Sequence, residues 1–417
     1  TQGPLTITGG DIRIGANISM GAYDLLVKST GNIFQGVAVS NPTPANIVVS
    51  TLGAGNVTYW SDSDASGAGA IQLKAGSSNT VRSSITTAGG NIVLGGGAGA
   101  TAADGWARAL YAVNLESYSN LDAGTGSITI KGMSNANTAG GTGVLMDTYS
   151  TLNAATINIT GNGNPSNTFS SVGVFARSNS SLTASSLINI SGTGGGTTSN
   201  TVLANMGVRI DNATVTATGS GNVVITGDGG GNAAGGTSYG VRLYGVSDSS
   251  RSSIVADTGT ITITGIEGAS AASFGVSATA AQIGAATQTG LITVRANSMI
   301  TGFLSTAANN SQVLSSGVVK MEPLLGSGSF VGRGLDLTYM QFGSSISALT
   351  LGKVGNTGPV IFGTPNTNGN TIAGPITAYG DITLVGDTAS SNGVTFNGSV
   401  TQSAGRLTTP TLLLTGT

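Results

Sequence analysis

The sequence predicts an all-β chain wound as a right-handed parallel β-helix, a solenoid carrying glycine-rich loops of variable length. Three observations predict it. A short alternating strand that closes on glycine recurs five times: Ile128-Thr129-Ile130-Lys131-Gly132, Ile157-Asn158-Ile159-Thr160-Gly161, Ile188-Asn189-Ile190-Ser191-Gly192, Val223-Val224-Ile225-Thr226-Gly227 and Ile261-Thr262-Ile263-Thr264-Gly265. A sixth, degraded copy is Ile292-Thr293-Val294-Arg295-Ala296. A second marker keeps step with the first: Gly143-Val144, Gly173-Val174, Gly207-Val208, Gly240-Val241 and Gly275-Val276. The closing glycines lie 29, 31, 35 and 38 residues apart, and the Gly-Val pairs 30, 34, 33 and 35. Composition is the third observation. Of 417 residues 68 are Gly, and 8% are charged against roughly 25% in an average protein, yet 39% are hydrophobic. One extended, repetitive architecture accounts for that mixture. Disorder does not, because disordered chains pair low hydrophobicity with high net charge, and this chain carries −2.

Alternation of β-branched residues puts Ile128, Ile130, Ile157, Ile159, Ile188 and Ile190 on one side of the strands and Thr129, Asn158 and Asn189 on the other. One side is core, the other solvent. No single unit buries its apolar side alone, so successive units must stack with equivalent residues above one another. Roughly 14 to 20 coils at about 4.8 Å give a rod on the order of 65 to 100 Å long. A sandwich is disfavoured, since it needs turns every 8 to 12 residues or so.

The whole of 1–417 reads as one continuous β-helix. Its amino-terminal coils, 1–100, carry Leu5-Thr6-Ile7-Thr8-Gly9, Asp11-Ile12-Arg13-Ile14, Leu25-Leu26-Val27-Lys28, Ile71-Gln72-Leu73-Lys74 and Asn91-Ile92-Val93-Leu94-Gly95. Coils with repeats of about 30 residues and long loops fill 101–297. The stretches Gly194 to Asn200 and Gly229 to Gly236, small, polar and glycine-rich, leave the stack as surface loops. An irregular segment, 298–334, is expected as a kink or long loop. Carboxy-terminal coils, 335–417, resume with Leu335-Asp336-Leu337, Leu349-Thr350-Leu351-Gly352, Pro359-Val360-Ile361-Phe362-Gly363, Asp381-Ile382-Thr383-Leu384, Val394-Thr395-Phe396-Asn397-Gly398 and Leu412-Leu413-Leu414. The prolines fall mostly in linkers such as Asn41-Pro42-Thr43-Pro44, as a ladder requires.

Absences narrow the chemistry. With no Cys and no His, thiolate or imidazole catalysis, zinc fingers, haem-His ligation and Ser/His/Asp triads are excluded. A net charge of −2 with 15 dispersed cations argues against nucleic acid as a partner. No apolar run of 18 or more residues predicts a membrane helix. The chain begins at Thr1 without a signal peptide, and an excerpt of a longer protein is the expectation.

Four phrases then carry a family likeness: Gly10-Asp11-Ile12-Arg13-Ile14-Gly15-Ala16-Asn17-Ile18, Gly69-Ala70-Ile71-Gln72-Leu73-Lys74-Ala75-Gly76, Thr86-Thr87-Ala88-Gly89-Gly90-Asn91-Ile92-Val93-Leu94-Gly95-Gly96-Gly97 and Gly380-Asp381-Ile382-Thr383-Leu384. Each joins a glycine turn to a short alternating strand. On these the chain resembles the large secreted exoproteins of the filamentous haemagglutinin type. The resemblance implies a β-helical adhesin shaft, extracellular or on the outer-membrane surface of a Gram-negative bacterium, exported through an outer-membrane secretion partner. Its implied partners are glycans or proteins of host cells, other bacteria or matrix.

No catalytic, cofactor-binding or metal-binding residue is assigned, and no cofactor is expected. Candidates still stand out. Asp62-Ser63-Asp64-Ala65-Ser66-Gly67 opens like a calcium loop, but the twelfth position is Leu73 where a bidentate Glu is required, so a self-bonded turn is the expectation. Gly227-Asp228-Gly229-Gly230-Gly231 has no nine-residue recurrence and reads as a corner. A polysaccharide-cleaving β-helix needs paired carboxylates or a carboxylate with a basic partner, which makes Asp211 beside Arg209, and Asp248 near Arg242 or Arg251, the pairs of interest. Solvated ion pairs are the simpler account. Arg209 and Arg242, each two residues past the Gly of its marker, form either a basic ladder for an anionic glycan or an exposed pair. Tyr59, Trp60, Trp106, Tyr111, Tyr239 and Tyr244 serve either sugar stacking or coil interiors. Three functions follow in order: an adhesive shaft, a filament that self-associates head to tail, and a carbohydrate-active enzyme.

Overall fold

The computed structural model describes residues 3–36, 46–74, 76–78, 80–102, 105–135, 140–165, 171–196, 205–231, 237–247, 249–269, 272–302, 310–324, 326–363, 370–403 and 406–415. Among them there is no helix. The chain is a right-handed parallel β-helix with three faces per coil. The first coil sets the pattern, with Leu5–Gly9 on a first face, Ile12–Ile14 on a second and Ile18–Ser19 on a third. The second coil repeats it with Leu25–Ser29, Ile33–Gln35 and Ile47–Thr51, each pairing in parallel with the strand on the same face below or above.

The second face is a 14-stranded sheet that runs the length of the rod. At about 4.8 Å per strand the rod is on the order of 65 Å long. The first and third faces form one 25-stranded sheet, because Thr151–Asn162 and Ser181–Thr193 pass unbroken round the corner between them. A register shift between Ala154 and Thr156 makes that bend. A 3-stranded sheet, Asn370–Ile372, Thr388–Ser390 and Leu407–Thr408, occupies the third face near the end.

The recurrent Ile residues do stack. On the first face one inward column runs Leu5, Leu25, Val57, Ile92, Ile128, Ile157, Ile188, Val223, Ile261 and Ile292, continuing through Val319, Leu349, Ile376 and Val394 to Leu412. From Leu25 to Val394 its members are almost completely buried. Every position in that column is aliphatic, so the interior is a continuous apolar ladder of the kind that drives stacking. One polar group inside is fully matched: buried Gln35 donates Nε2 to the carbonyls of Ile47 (3.1 Å) and Ser84 (2.8 Å) and accepts the Tyr59 hydroxyl on Oε1 (2.6 Å).

The two glycine markers meet. A Cβ at Gly132, Gly161, Gly192, Gly227 or Gly265 would lie 2.1, 2.1, 2.0, 2.0 or 1.9 Å from the carbonyl oxygen of Gly143, Gly173, Gly207, Gly240 or Gly275 respectively. The first and second faces are therefore pinched together in five successive coils, and only glycine permits backbones so close. In the degraded sixth copy Ala296 replaces the closing glycine, Ser298 follows in place of the Gly marker, and the pinch ends.

Coil length varies without loss of register. Partners on the first face are 20 residues apart in Leu5↔Leu25, 38 in Val223↔Ile261 and 18 in Val394↔Leu412. The slack is taken up at corners. Between the first and second faces the first coil spends only Gly10 and Asp11, whereas the third spends 62–70; in the fourth, Ile92–Gly96 and Ala107–Ala109 both pair with Ser127–Ser134 on the first face, and Leu110 alone leads to Tyr111–Leu115. Residues 197–200 and 232–236 of the two loops singled out in the sequence lie outside the described residues, as do Pro42 and Pro44. Within 298–334, Met299–Thr301, Ser311–Leu314 and Val318–Glu322 each continue their face in register.

Candidate functional site

The outward residues of the three faces differ in chemistry. On the first face the outward column Thr129, Asn158, Asn189, Val224, Thr262 and Thr293 is mostly small and uncharged. On the third, Ser84, Asn120, Thr151, Ser181, Thr214 and Ser253 continue that character. Over the same coils the second face shows Leu145, Phe175, Arg209, Arg242 and Ser277 in one column. Beside them stand Val172, Met206, Tyr239 and Phe274 on one flank and Arg177, Asp211, Tyr244 and Thr279 on the other. This strip of arginines and aromatic rings is the candidate site.

Arg209 and Arg242 are direct cross-strand partners, as the marker spacing predicts. Two like charges one strand apart repel, and the structure offsets this locally. Arg209 bonds the Asp211 carboxylate through Nε (2.7 Å) and Nη2 (2.5 Å), both to Oδ2, and its guanidinium lies 4.3 Å from the Phe175 ring centre. Arg242 instead rests between two rings, 4.7 Å from Tyr244 and 5.9 Å from Tyr239. Burial pushes the Tyr239 hydroxyl up from its ordinary pKa, with Arg242 opposing. Tyr239 stacks on Phe274 at 6.1 Å, and Arg333 approaches Phe274 at 5.4 Å.

One coil below, Arg177 grips Asp147 with two nitrogens, Nε to Oδ1 at 2.8 Å and Nη2 to Oδ2 at 3.0 Å. Burial alone pushes the Asp147 carboxyl up, but the Arg177 and Thr148 donors outweigh it and hold it below the usual carboxylate range. Two hollows flank the arginine pair. One, about 190 Å³, is walled by Tyr111, Phe175, Arg177 and Arg209; the other, about 380 Å³, by Tyr239, Phe274, Ser277 and Arg333.

The other sequence candidates fall elsewhere. Asp62 spends Oδ1 on its own loop, accepting from Ser66 Oγ (3.0 Å), Gly67 N (2.9 Å) and Ala68 N (3.2 Å), which is the self-bonded turn. Asp228 likewise accepts from Gly230 N at 2.9 Å. Tyr59 is core. Trp60 faces outward from the first face under Lys28 (4.1 Å), and Trp106 lies 4.9 Å from Lys131. Asp248 lies outside the described residues, so its pairing with Arg242 or Arg251 is not described. Arg251 reaches the Asn310 carbonyl. Phe175, Phe274, Arg177 and Asp147 escaped the sequence reading. Phe175 had a signal, since Leu145, Phe175, Arg209, Arg242 and Ser277 each follow a Gly-Val marker directly.

Asp147 and Asp211 are both held by guanidinium groups, and the described residues contain no group of three or more metal-ligating side chains. They contain no helix long and apolar enough to cross a membrane either. Comparison with family models, curated proteins and solved structures finds no match to this chain.

Proposed function

We propose that this chain is the adhesive shaft of a secreted or surface-displayed bacterial exoprotein, and that it meets glycans or proteins along its second face. The observation that carries the proposal is the contrast between faces. Over the coils that span 157–264 the other two present mostly Ser, Thr and Asn, while the second concentrates Arg177, Arg209, Arg242, Phe175, Tyr239 and Tyr244. Rings stack on sugar faces, and guanidinium N–H groups donate to hydroxyl or carboxylate oxygens. The resemblance to haemagglutinin-type exoproteins supports the same reading and carries its Gram-negative surface location and outer-membrane export partner. Attachment is favoured over catalysis because each carboxylate of the strip is already paired with an arginine, Asp147 through both oxygens and Asp211 through Oδ2.

Purified chain applied to a glycan array and to whole cells tests it. Arg242→Ala combined with Phe175→Ala is expected to weaken binding at least about tenfold, a loss of about 1.4 kcal/mol. Thr262→Ala with Thr264→Ala on the first face is expected to leave it unchanged. The opposite pattern would overturn the assignment of the second face.

A further inference from the structure

A second polar site lies away from this strip, at the corner between the first and second faces in the third and fourth coils. There Asp62, Gly97, Trp106 and Arg108 line a cavity of about 180 Å³. Two of its charged groups are incomplete. Asp62 is fully buried and its Oδ2 has no hydrogen-bond partner; Arg108 Nε is buried and has none either. No ion pair joins the two among the described residues. A buried carboxylate oxygen and a buried guanidinium N–H left unmatched are expensive, so their persistence on one cavity calls for a ligand that satisfies both.

The walls are held firmly. Arg108 is tied to Gly69 by a two-way backbone bridge, N–H to carbonyl at 2.9 Å and back at 2.6 Å. Ser61 Oγ donates to the Gly69 carbonyl (2.9 Å), and Trp60 Nε1 to the Gly97 carbonyl (3.0 Å). Asp62 itself is kept at φ +50° by three donors on Oδ1, which aligns the carboxylate and leaves one oxygen over. Such strain, over-determined by its surroundings, is typical of binding sites.

We propose that this cavity binds one neutral sugar ring through two of its hydroxyl groups, one donating to Asp62 Oδ2 and the other accepting from Arg108 Nε, with Trp106 as the apolar wall. Charge selects the class. A bare cation is repelled by Arg108, and an anion by Asp62. A free amino acid would bring an ammonium group with three donors to a carboxylate that has one oxygen left, whereas a hydroxyl needs one acceptor only. Volume agrees: the space corresponds to about six waters, and falls below the ~300 Å³ at which pockets begin to take drug-sized molecules. The site shares no residue with the second-face strip, so either reading can fail without the other.

The experiment is saturation-transfer NMR and calorimetry on the whole chain with methyl glucoside, methyl galactoside, methyl mannoside and methyl N-acetylglucosaminide, with glycine as the zwitterionic probe. At least one glycoside is expected to bind saturably with a Kd on the order of millimolar, and glycine not at all. Asp62→Asn keeps the loop, since Asn tolerates positive φ, but presents a donor where the hydroxyl needs an acceptor. It and Arg108→Gln are each expected to weaken binding at least about tenfold, with unchanged circular dichroism and melting temperature, while Arg242→Ala leaves it intact. Absence of saturable binding by any glycoside to the folded chain would mean that ordered waters alone fill the cavity. That result, displacement by glycine, or binding indifferent to both variants would overturn the proposal.

Discussion

At the scale of single residues, the glycine pinch is the most exacting feature of the molecule. A methyl group at Gly227 would meet the Gly240 carbonyl at 2.0 Å, where only backbone movement relieves the clash. Gly227→Ala is therefore expected to cost about 1–3 kcal/mol or more, read as a lowered urea midpoint. Ala at Gly10, which has nothing within 4 Å, is the control and should change little. The Asp147–Arg177 pair makes a second residue-scale prediction. Because the folded carboxyl is held below its unfolded value, its contribution is complete above pH of about 3.9 and is lost as pH falls through the lower folded value. Both side chains are partly exposed, so the amount is about 0.5–1 kcal/mol. Asp147→Asn should remove that acid-limb dependence in urea titrations between pH 2 and 7 or so and leave the neutral-pH slope unchanged.

At the scale of the element, each short strand gains its place from the column it joins. Ile190 is buried between Ile159 and Ile225, and truncation leaves a void that neither neighbour can fill without leaving register. Ile190→Ala is expected to cost about 2–4 kcal/mol by denaturant unfolding. This element-level order was largely legible in the sequence, since inward positions obey period two and the buried Ile128, Ile157 and Ile188 recur in phase. The contact between the two glycine markers was not legible. The loop joining them varies in length, so Gly132 and Gly143 keep no fixed separation from coil to coil even though they touch in space. Outward positions are freer still, because water accepts almost any side chain there. Phe175, Arg209 and Arg242 share the place after a Gly-Val marker, but Asp147, Arg177 and Phe274 join the strip only when coils are superimposed. Arg108 is hidden for another reason, since its relation to Asp62 is created by an antiparallel bridge from Gly69 of the 62–70 corner to Arg108 in the strand Ala107–Ala109.

At the scale of the whole molecule, the unit of construction is the coil, and units contact only their neighbours. Removing residues 157–187 brings Ile188 to the place of Ile157 and restores the pairing Ile128↔Ile188. The shortened chain is expected to fold, with the rod shorter by about 4.8 Å in small-angle scattering. Collapse or aggregation of that variant would show that coils are not interchangeable. The corner between the first and second faces holds the insertion 62–70, next to the face that carries the arginines. Sites and loops thus share one edge of the rod, while the opposite corner stays short and continuous through Thr151–Asn162 and Ser181–Thr193.

The unequal coil lengths have a mechanical consequence. Tension applied between the two ends would peel the ladder one turn at a time, and each turn released yields contour in proportion to its residues. An 18-residue turn such as Val394 to Leu412 lets out roughly 60 Å, and a 38-residue turn such as Val223 to Ile261 roughly twice that. A rod built this way lengthens in graded steps under load, each step set by the residue count of the turn released.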